Sequence, residues 1–340
     1  MINASAAQAI QNAVSPGNLA LYELQKPFVD SLLRWCRLWN TAFDGLFYDV
    51  GLLSAALLAK GEVVDTEVPG NSNWSRHRFA MLDLTAQSNP SGSIIVVDAN
   101  LAPYVSKPFL DMRAFFDFAN GSESAGLHTL TVTGVGSSAF GAVAFAWDVS
   151  EAVGEPVAAI VPGYGLADVV PQALGGWFGF EMYDSIQSAT QELLANFAPS
   201  LAMMGKDLAR STPGRETAST GAPVFRHGSA ASDDVHTILR NVSRITHVVG
   251  HSKGALAIEN ALRSLPSYRT KEITVHTFGC VISEEVSCER YSQYLGLIDT
   301  LGIWNSRNNV PEHRPLADHS TNSLIPFSLQ VTNSLANPVV

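Results

Sequence analysis

A serine between two glycines is the residue of this chain best placed to do chemistry. Ser252 is the centre of "GHSKG" at residues 250 to 254, between the β-rich run "ITHVV" and the run "ALAIENALRSL", whose apolar residues recur at helical spacing. A G-x-S-x-G sequence between strand and helix is typical of a tight turn that presents a nucleophilic serine, with a structural turn as the alternative. The glycines fit because larger side chains would clash there, and the helix amides, beginning with that of Lys253, would face an oxyanion.

A serine nucleophile needs a histidine base, and only three of the nine histidines follow the serine in the chain. His276 lies in "ITVHTFG", a predicted strand, which favours a packed core residue. His313 lies between prolines in "VPEHRP". His319, in "LADHSTNSLIP", lies on a polar loop before an apolar C-terminal segment. We therefore predict His319 as the base and His313 as the second candidate.

The third member of such a triad is less clear from the sequence. The apolar run "GLIDTLGIWN" predicts a strand that the acid should follow, but the residues from Asn305 on, "NSRNNVP", contain no carboxylate. Asn308 could orient the histidine by a hydrogen bond without supplying an anion. Glu284 and Glu285 could supply a displaced acid or be solvated surface residues. Asp299 and Asp318 are less well placed on this interpretation.

The surrounding patterns predict strands that alternate with helices. "SIIVVDAN" predicts a short buried strand, "HTLTVTGV" and "GAVAFAWDV" predict a hairpin, and "VAAIVPGYG" predicts a buried strand that ends in glycines. "FEMYDSIQSATQELLANFA" and "SDDVHTILRNV" have helical periodicity. Between them lies a long stretch of small residues, which is typical of a mobile loop or a lid, so we predict a lid within residues 166–232.

The N-terminal part of the chain has a different character. Residues 27–40, "PFVDSLLRWCRLWN", predict an amphipathic helix with two tryptophans on its apolar side. This helix would dock on the main domain or attach the protein to a lipid or polymer surface. We predict a helical and mixed extension over residues 1–125, packed on a catalytic domain over residues 126–340.

Composition excludes several classes of function. The 340 residues are 46% hydrophobic, and the net charge of −10 argues against nucleic acid as a partner. We find neither a secretory signal nor an apolar stretch of membrane-spanning length, and three cysteines are too few for a disulfide framework, so a cytoplasmic location is expected. Neither metal-ligand spacing nor a phosphate-binding glycine loop is found, so no cofactor is expected.

Taken in order, the motifs resemble those of the class 3 lipases. The chain has "VAAIVPGYG", "GFEMYDSI", "VVGHSKGALA", "VHTFGC" and "NSRNNVP" ahead of His319, and the resemblance covers about residues 130–325. It implies the α/β-hydrolase fold, in which helices flank a mostly parallel central sheet.

The resemblance also implies an activity and a set of site residues. The implied activity is hydrolysis of an apolar carboxylic ester through an acyl-enzyme, with Ser252 as nucleophile and His319 as base. Asn308 occupies the family's aspartate position. Tyr164 stands where a threonine or serine helps to hold the oxyanion, and Lys253 adds a cation near the site. A polyester or phospholipid hydrolase acting at a surface is a variant, and an inactive binding or scaffold protein is the alternative.

Overall fold

A computed structural model of the chain describes residues 44–53, 93–100, 105–109, 112–134, 137–162, 216–217, 223–224, 230–306 and 309–336. Its strands are β1 (Ile94–Asp98), β2 (Val105–Phe109), β3 (Thr129–Val132), β4 (Val157–Ile160), β5 (Glu216–Thr217), β6 (Pro223–Val224), β7 (His247–His251), β8 (Thr274–Phe278) and β9 (Arg290–Tyr294). Its helices are α1 (Met112–Ala119), α2 (Ala139–Val153), α3 (Ala230–Asn241), α4 (Lys253–Arg263), α5 (Ser267–Thr270), α6 (Thr300–Asn305) and α7 (Val331–Ala336).

Seven of these strands form one mixed, mostly parallel sheet with the order β2-β1-β4-β3-β7-β8-β9. Strands β4, β3, β7, β8 and β9 run parallel to one another, and β1 is antiparallel to both β2 and β4. Because parallel strands end at the same edge of a sheet, the loops that follow β3, β7 and β9 converge there. This edge holds Ser252.

Helices cover both faces of the sheet, as in an α/β fold. One apolar cluster joins the sheet to buried residues of α1, α3 and α4, and a second joins it to α2, to α7 and to the segment 44–53. Successive strand residues alternate between the clusters: Val248 packs in the first and Val249 in the second. The prediction of a mostly parallel sheet flanked by helices is confirmed.

Only the first strand of the predicted hairpin is present, and its second half is a helix. "HTLTVTGV" contains β3, but "GAVAFAWDV" lies inside α2, which Ser138 caps by accepting hydrogen bonds from the amides of Phe140 and Gly141. Every residue of α2 from Gly141 to Ser150 is buried. A helix enclosed on all sides needs no polar face, so its alternation of small and large apolar residues imitates a buried strand.

The sheet extends beyond the predicted domain boundary. The expected strand at "SIIVVDAN" is confirmed as β1, and β1 pairs with both β2 and β4. Residues before 125 therefore contribute two strands to the same sheet as the candidate catalytic region.

Three predictions concern residues outside the described ranges: the amphipathic helix at 27–40, the helix at "FEMYDSIQSATQELLANFA" and most of the lid at 166–232. The helix predicted at "SDDVHTILRNV" is confirmed as part of α3. Among the described helices, none has the length and apolarity required to cross a membrane.

A row of polar side chains crosses the buried sheet away from Ser252. The nitrogens His276 Nδ1 and His247 Nε2 lie 2.8 Å apart, and His247 Nδ1 lies 3.2 Å from the hydroxyl of Thr129, which donates to Glu155. Burial lowers the pKa of His247 to about 4, and burial followed by the neighbouring charges lowers the pKa of His276 to about 3. Both rings are thus neutral in the folded protein near pH 7.

This pair predicts acid lability. As the pH falls below about 6.5, the unfolded chain binds protons that the folded chain excludes, so stability falls with pH. One such histidine should cost roughly 3 kcal/mol by pH 4. Urea unfolding at pH 7 and pH 4 should show a smaller loss in the double variant His247→Gln, His276→Gln than in the wild type. Equal losses would contradict the prediction.

Candidate active site

Ser252 sits in a strained turn between β7 and α4. Its backbone has φ 54° and ψ −128°, a conformation that a residue with a side chain rarely adopts. A Cβ on Gly250 would lie 2.8 Å from backbone atoms of Ala255, and one on Gly254 would lie within 2.6 Å of Thr133 O. Both glycines are therefore required by close approach of backbone. The strand, sharp turn and helix predicted around Ser252 are all present.

His319 is the histidine that meets the serine. Its Nε2 lies 2.9 Å from Ser252 Oγ, and 11% of its side chain is exposed. The other two candidates lie elsewhere: His313 stacks on Tyr294 with ring centroids 4.5 Å apart, and His276 lies in β8. The structure thus brings together the serine and the histidine that the sequence singled out.

Asp299 is the acidic partner of His319. Both of its carboxylate oxygens lie 2.9 Å from His319 Nδ1, and its side chain is fully buried. Asp299 also caps α6, where Oδ1 accepts a 2.6 Å hydrogen bond from the amide of Gly302. This second bond fixes the rotation of the carboxylate, so that it faces the imidazole.

The contact between Asp299 and His319 corrects the prediction for the third member of the triad. The error arose because "GLIDTLGIWN" is not a strand: the last strand of the sheet is β9, and α6 begins inside this sequence. Asp299 therefore follows the last strand, as the acid of the triad is expected to, but it lies nine residues before Asn308 in the chain. Asn308, the residue predicted for this position, lies outside the described residues.

The other carboxylates considered have different partners. Glu284 accepts a 2.8 Å hydrogen bond from Gln293, Glu285 pairs with Arg263 at 3.4 Å, and Asp318 accepts from the amide of Ser320 at 2.8 Å. None of these contacts involves an imidazole ring.

The hydrogen-bond directions follow from the acceptors. A carboxylate can only accept, so Nδ1–H of His319 donates to Asp299, and the neutral form of the ring then has its lone pair at Nε2. Nε2 then accepts from the hydroxyl of Ser252. In this arrangement the imidazole can take the serine proton, and the adjacent carboxylate stabilises the imidazolium that results.

Backbone amides near Ser252 are candidates for holding an oxyanion. Lys253 is the first residue of α4 and follows Ser252 directly, and burial lowers the pKa of its ammonium group. Gly134, just after β3, is so close that a Cβ there would lie 3.6 Å from Ser252 Oγ. Tyr164 lies outside the described residues, and β4, the strand before it, is separated from β7 by β3. The loop that adjoins the serine is thus the one after β3.

Sequence reasoning missed two residues beside the site. Tyr48 Oη lies 2.9 Å from His251 Nδ1 and accepts a 2.9 Å hydrogen bond from the amide of Gly134. His251 is the variable residue before the serine in the "GHSKG" motif, so its position was visible although its role was not. Nothing in the local sequence pointed to Tyr48, which is 203 residues away.

No protein-family model, curated protein or solved structure matches this chain. The function must therefore be inferred from the geometry of the site itself.

Proposed function

We propose that this protein is a serine hydrolase of carboxylic esters with an α/β-hydrolase fold. The observation that carries the proposal is the continuous hydrogen-bonded line from Ser252 through His319 to Asp299, with the serine in a strained turn between strand and helix. The order Ser, Asp, His along the chain is the order of the triad in that fold.

The geometry supports the following mechanism. Ser252 Oγ attacks the ester carbonyl carbon while His319 Nε2 takes its proton, and the tetrahedral oxyanion is held by the Lys253 amide with an amide of the loop after β3. His319 then protonates the departing alcohol oxygen and leaves an acyl-enzyme. Water attacks the acyl carbon, gives a proton to His319 and releases the acid, and the proton returns to Oγ.

Asp299 favours an enzyme over an inactive binding or scaffold protein. The argument for the inactive alternative was the missing carboxylate, since a histidine without an anionic partner is a poor base in this arrangement. With both Asp299 oxygens 2.9 Å from Nδ1, that argument no longer applies.

Exposed apolar residues near Asp299 in the chain support an apolar ester. Five apolar residues close to Asp299 in the chain or within α6 are each more than half exposed, namely Leu297, Ile298, Leu301, Ile303 and Trp304. Exposed apolar side chains grouped in this way are typical of a site that receives an apolar ligand. The surface-acting polyester or phospholipid variant depends on residues 27–40, which lie outside the described ranges.

The test is mapping of a fluorophosphonate adduct by mass spectrometry. The probe forms a stable bond only with an activated serine, so the wild type should carry one adduct on the peptide that contains Ser252. Ser252→Ala should carry none, because the nucleophilic oxygen is gone.

Ser264→Ala is the matched control, since Ser264 lies at the other end of α4. This variant should be labelled at Ser252 at the wild-type rate. Absence of an adduct in the wild type, or an adduct that persists in Ser252→Ala, would overturn the proposal.

A further inference from the structure

The segment 44–53, which precedes the resemblance to lipases, lies directly against the triad. Its backbone carbonyls hold the loop after the histidine: Gly45 O accepts from Asn322, Leu46 O from Ser320 and Phe47 O from Thr321, each at 2.7 Å. The ring of Phe47 meets the ring of His319 edge-on, with centroids 5.7 Å apart. This segment therefore holds the histidine loop from outside the sheet.

Tyr48 links this segment to both sides of the nucleophile. Its hydroxyl accepts from the amide of Gly134, which begins the loop beside Ser252, and lies 2.9 Å from His251 Nδ1. The other nitrogen of that ring, Nε2, lies 2.9 Å from the backbone carbonyl of His319. Tyr48 and His251 thus connect the loop after β3 to the residue that accepts the serine proton.

The direction of every bond in this chain is determined. A carbonyl oxygen can only accept, so Nε2–H of His251 donates to His319 O, and its Nδ1 must accept from the hydroxyl of Tyr48. The hydroxyl then still accepts from the amide of Gly134. Both side chains are almost fully buried, so water cannot substitute for a missing partner.

His251 is neutral in this position. Burial and the adjacent His319 lower the pKa of His251 to about 3. The ring is thus one tautomer of an uncharged imidazole: the carbonyl of His319 keeps the proton on Nε2, and the hydroxyl of Tyr48 donates to the bare Nδ1.

We propose that Tyr48 is a positioning residue of this active site: acting through His251 it holds the backbone of His319, and through the amide of Gly134 it holds the loop next to Ser252. The inference rests on the proposed hydrolase function. Tyr48 touches no reacting atom, and its effect is on the alignment of the base and of the loop.

The experiment compares fluorophosphonate labelling kinetics of Tyr48→Phe and wild type, because this probe reports on the activated serine without requiring a known substrate. Loss of the hydroxyl leaves Nδ1 of His251 and the amide of Gly134 without a partner. The maximal labelling rate should fall roughly 10- to 100-fold, because a displacement of a catalytic group by about 1 Å slows a reaction by up to this factor. The probe concentration at half-maximal rate should stay unchanged.

A second readout separates positioning from a purely structural role. Nitrogen-15 spectra of the imidazoles should show His251 as the Nε2–H tautomer in both proteins, with the Nδ1 signal shifted in Tyr48→Phe because its hydrogen bond from the hydroxyl is lost. Tyr291→Phe is the matched control, because it also removes one tyrosine hydroxyl, here one that lies in β9 and donates to the backbone carbonyl of Val286. Its labelling rate and its His251 signals should match the wild type.

The outcomes separate the two proposals. An unlabelled wild type overturns the hydrolase function, whereas a labelled wild type with an equally fast Tyr48→Phe and an unchanged His251 Nδ1 signal overturns only the role of Tyr48. If Tyr48→Phe does not fold, His251→Gln and His251→Asn decide the question. The glutamine can still donate to the carbonyl of His319 and should label faster than the shorter asparagine, and equal rates would overturn the proposal.

Discussion

Ser252→Ala and His319→Ala are each expected to lower kcat for ester hydrolysis by roughly 10⁶-fold, and the double variant is expected to lose no more than either. The physical reason is that the hydroxyl and the imidazole act as one unit, joined by the 2.9 Å contact between Oγ and Nε2. Once one of them is absent, the other has no proton to take or to give.

Initial rates on p-nitrophenyl butyrate, with circular dichroism to establish folding, would measure these losses. The control is His313→Ala, since His313 was the second candidate base and packs on Tyr294 away from the serine. Its kcat should stay close to that of the wild type. Losses that multiply in the double variant, or a full loss in His313→Ala, would show that Ser252 and His319 do not work as a pair.

Asp299→Asn is expected to lower kcat by roughly 10³- to 10⁴-fold while the KM changes little. The amide of Gly302 donates to Oδ1 at 2.6 Å, so it requires the oxygen of an asparagine at that position. The NH₂ group then occupies the position of Oδ2 and donates to Nδ1 of His319. The proton moves to Nε2, where the ring can no longer accept from Ser252.

Asn308→Ala is the control for this prediction, because Asn308 is the residue that the lipase resemblance places in the aspartate position. It should keep wild-type kcat and KM on p-nitrophenyl butyrate. If Asn308→Ala were the inactive variant and Asp299→Asn the active one, the assignment of the acid would be reversed.

The difference between these two residues explains why the acid escaped sequence reasoning. The position of the acid depends on where the last strand ends, and the apolar run in "GLIDTLGIWN" is more typical of a buried strand than the polar sequence of β9, "RYSQY". One local indication of α6 is present in the sequence: aspartate is favoured as the cap immediately before a helix, and Asp299 has this position. Burial also explains why the sequence of α2 predicts a strand. A helix that is buried on all sides lacks the polar face by which an amphipathic helix is recognised.

The sequence by itself determined the nucleophile turn and pointed to the histidine. Ser252, its two glycines, the strand before it and the helix after it are contiguous, so their steric requirements are written in one short stretch of the chain. Outside α2, the described strands β1, β3 and β7 and the helix α3 likewise follow from local periodicity.

Only the tertiary structure decided which groups meet at that turn. Asp299 and His319 come together because β9 ends at the same edge as β7, and Tyr48 reaches His251 across 203 residues because the segment 44–53 folds back over the site. Contacts between such distant residues depend on the packing of the whole sheet and its helices, and no local pattern of residues encodes them.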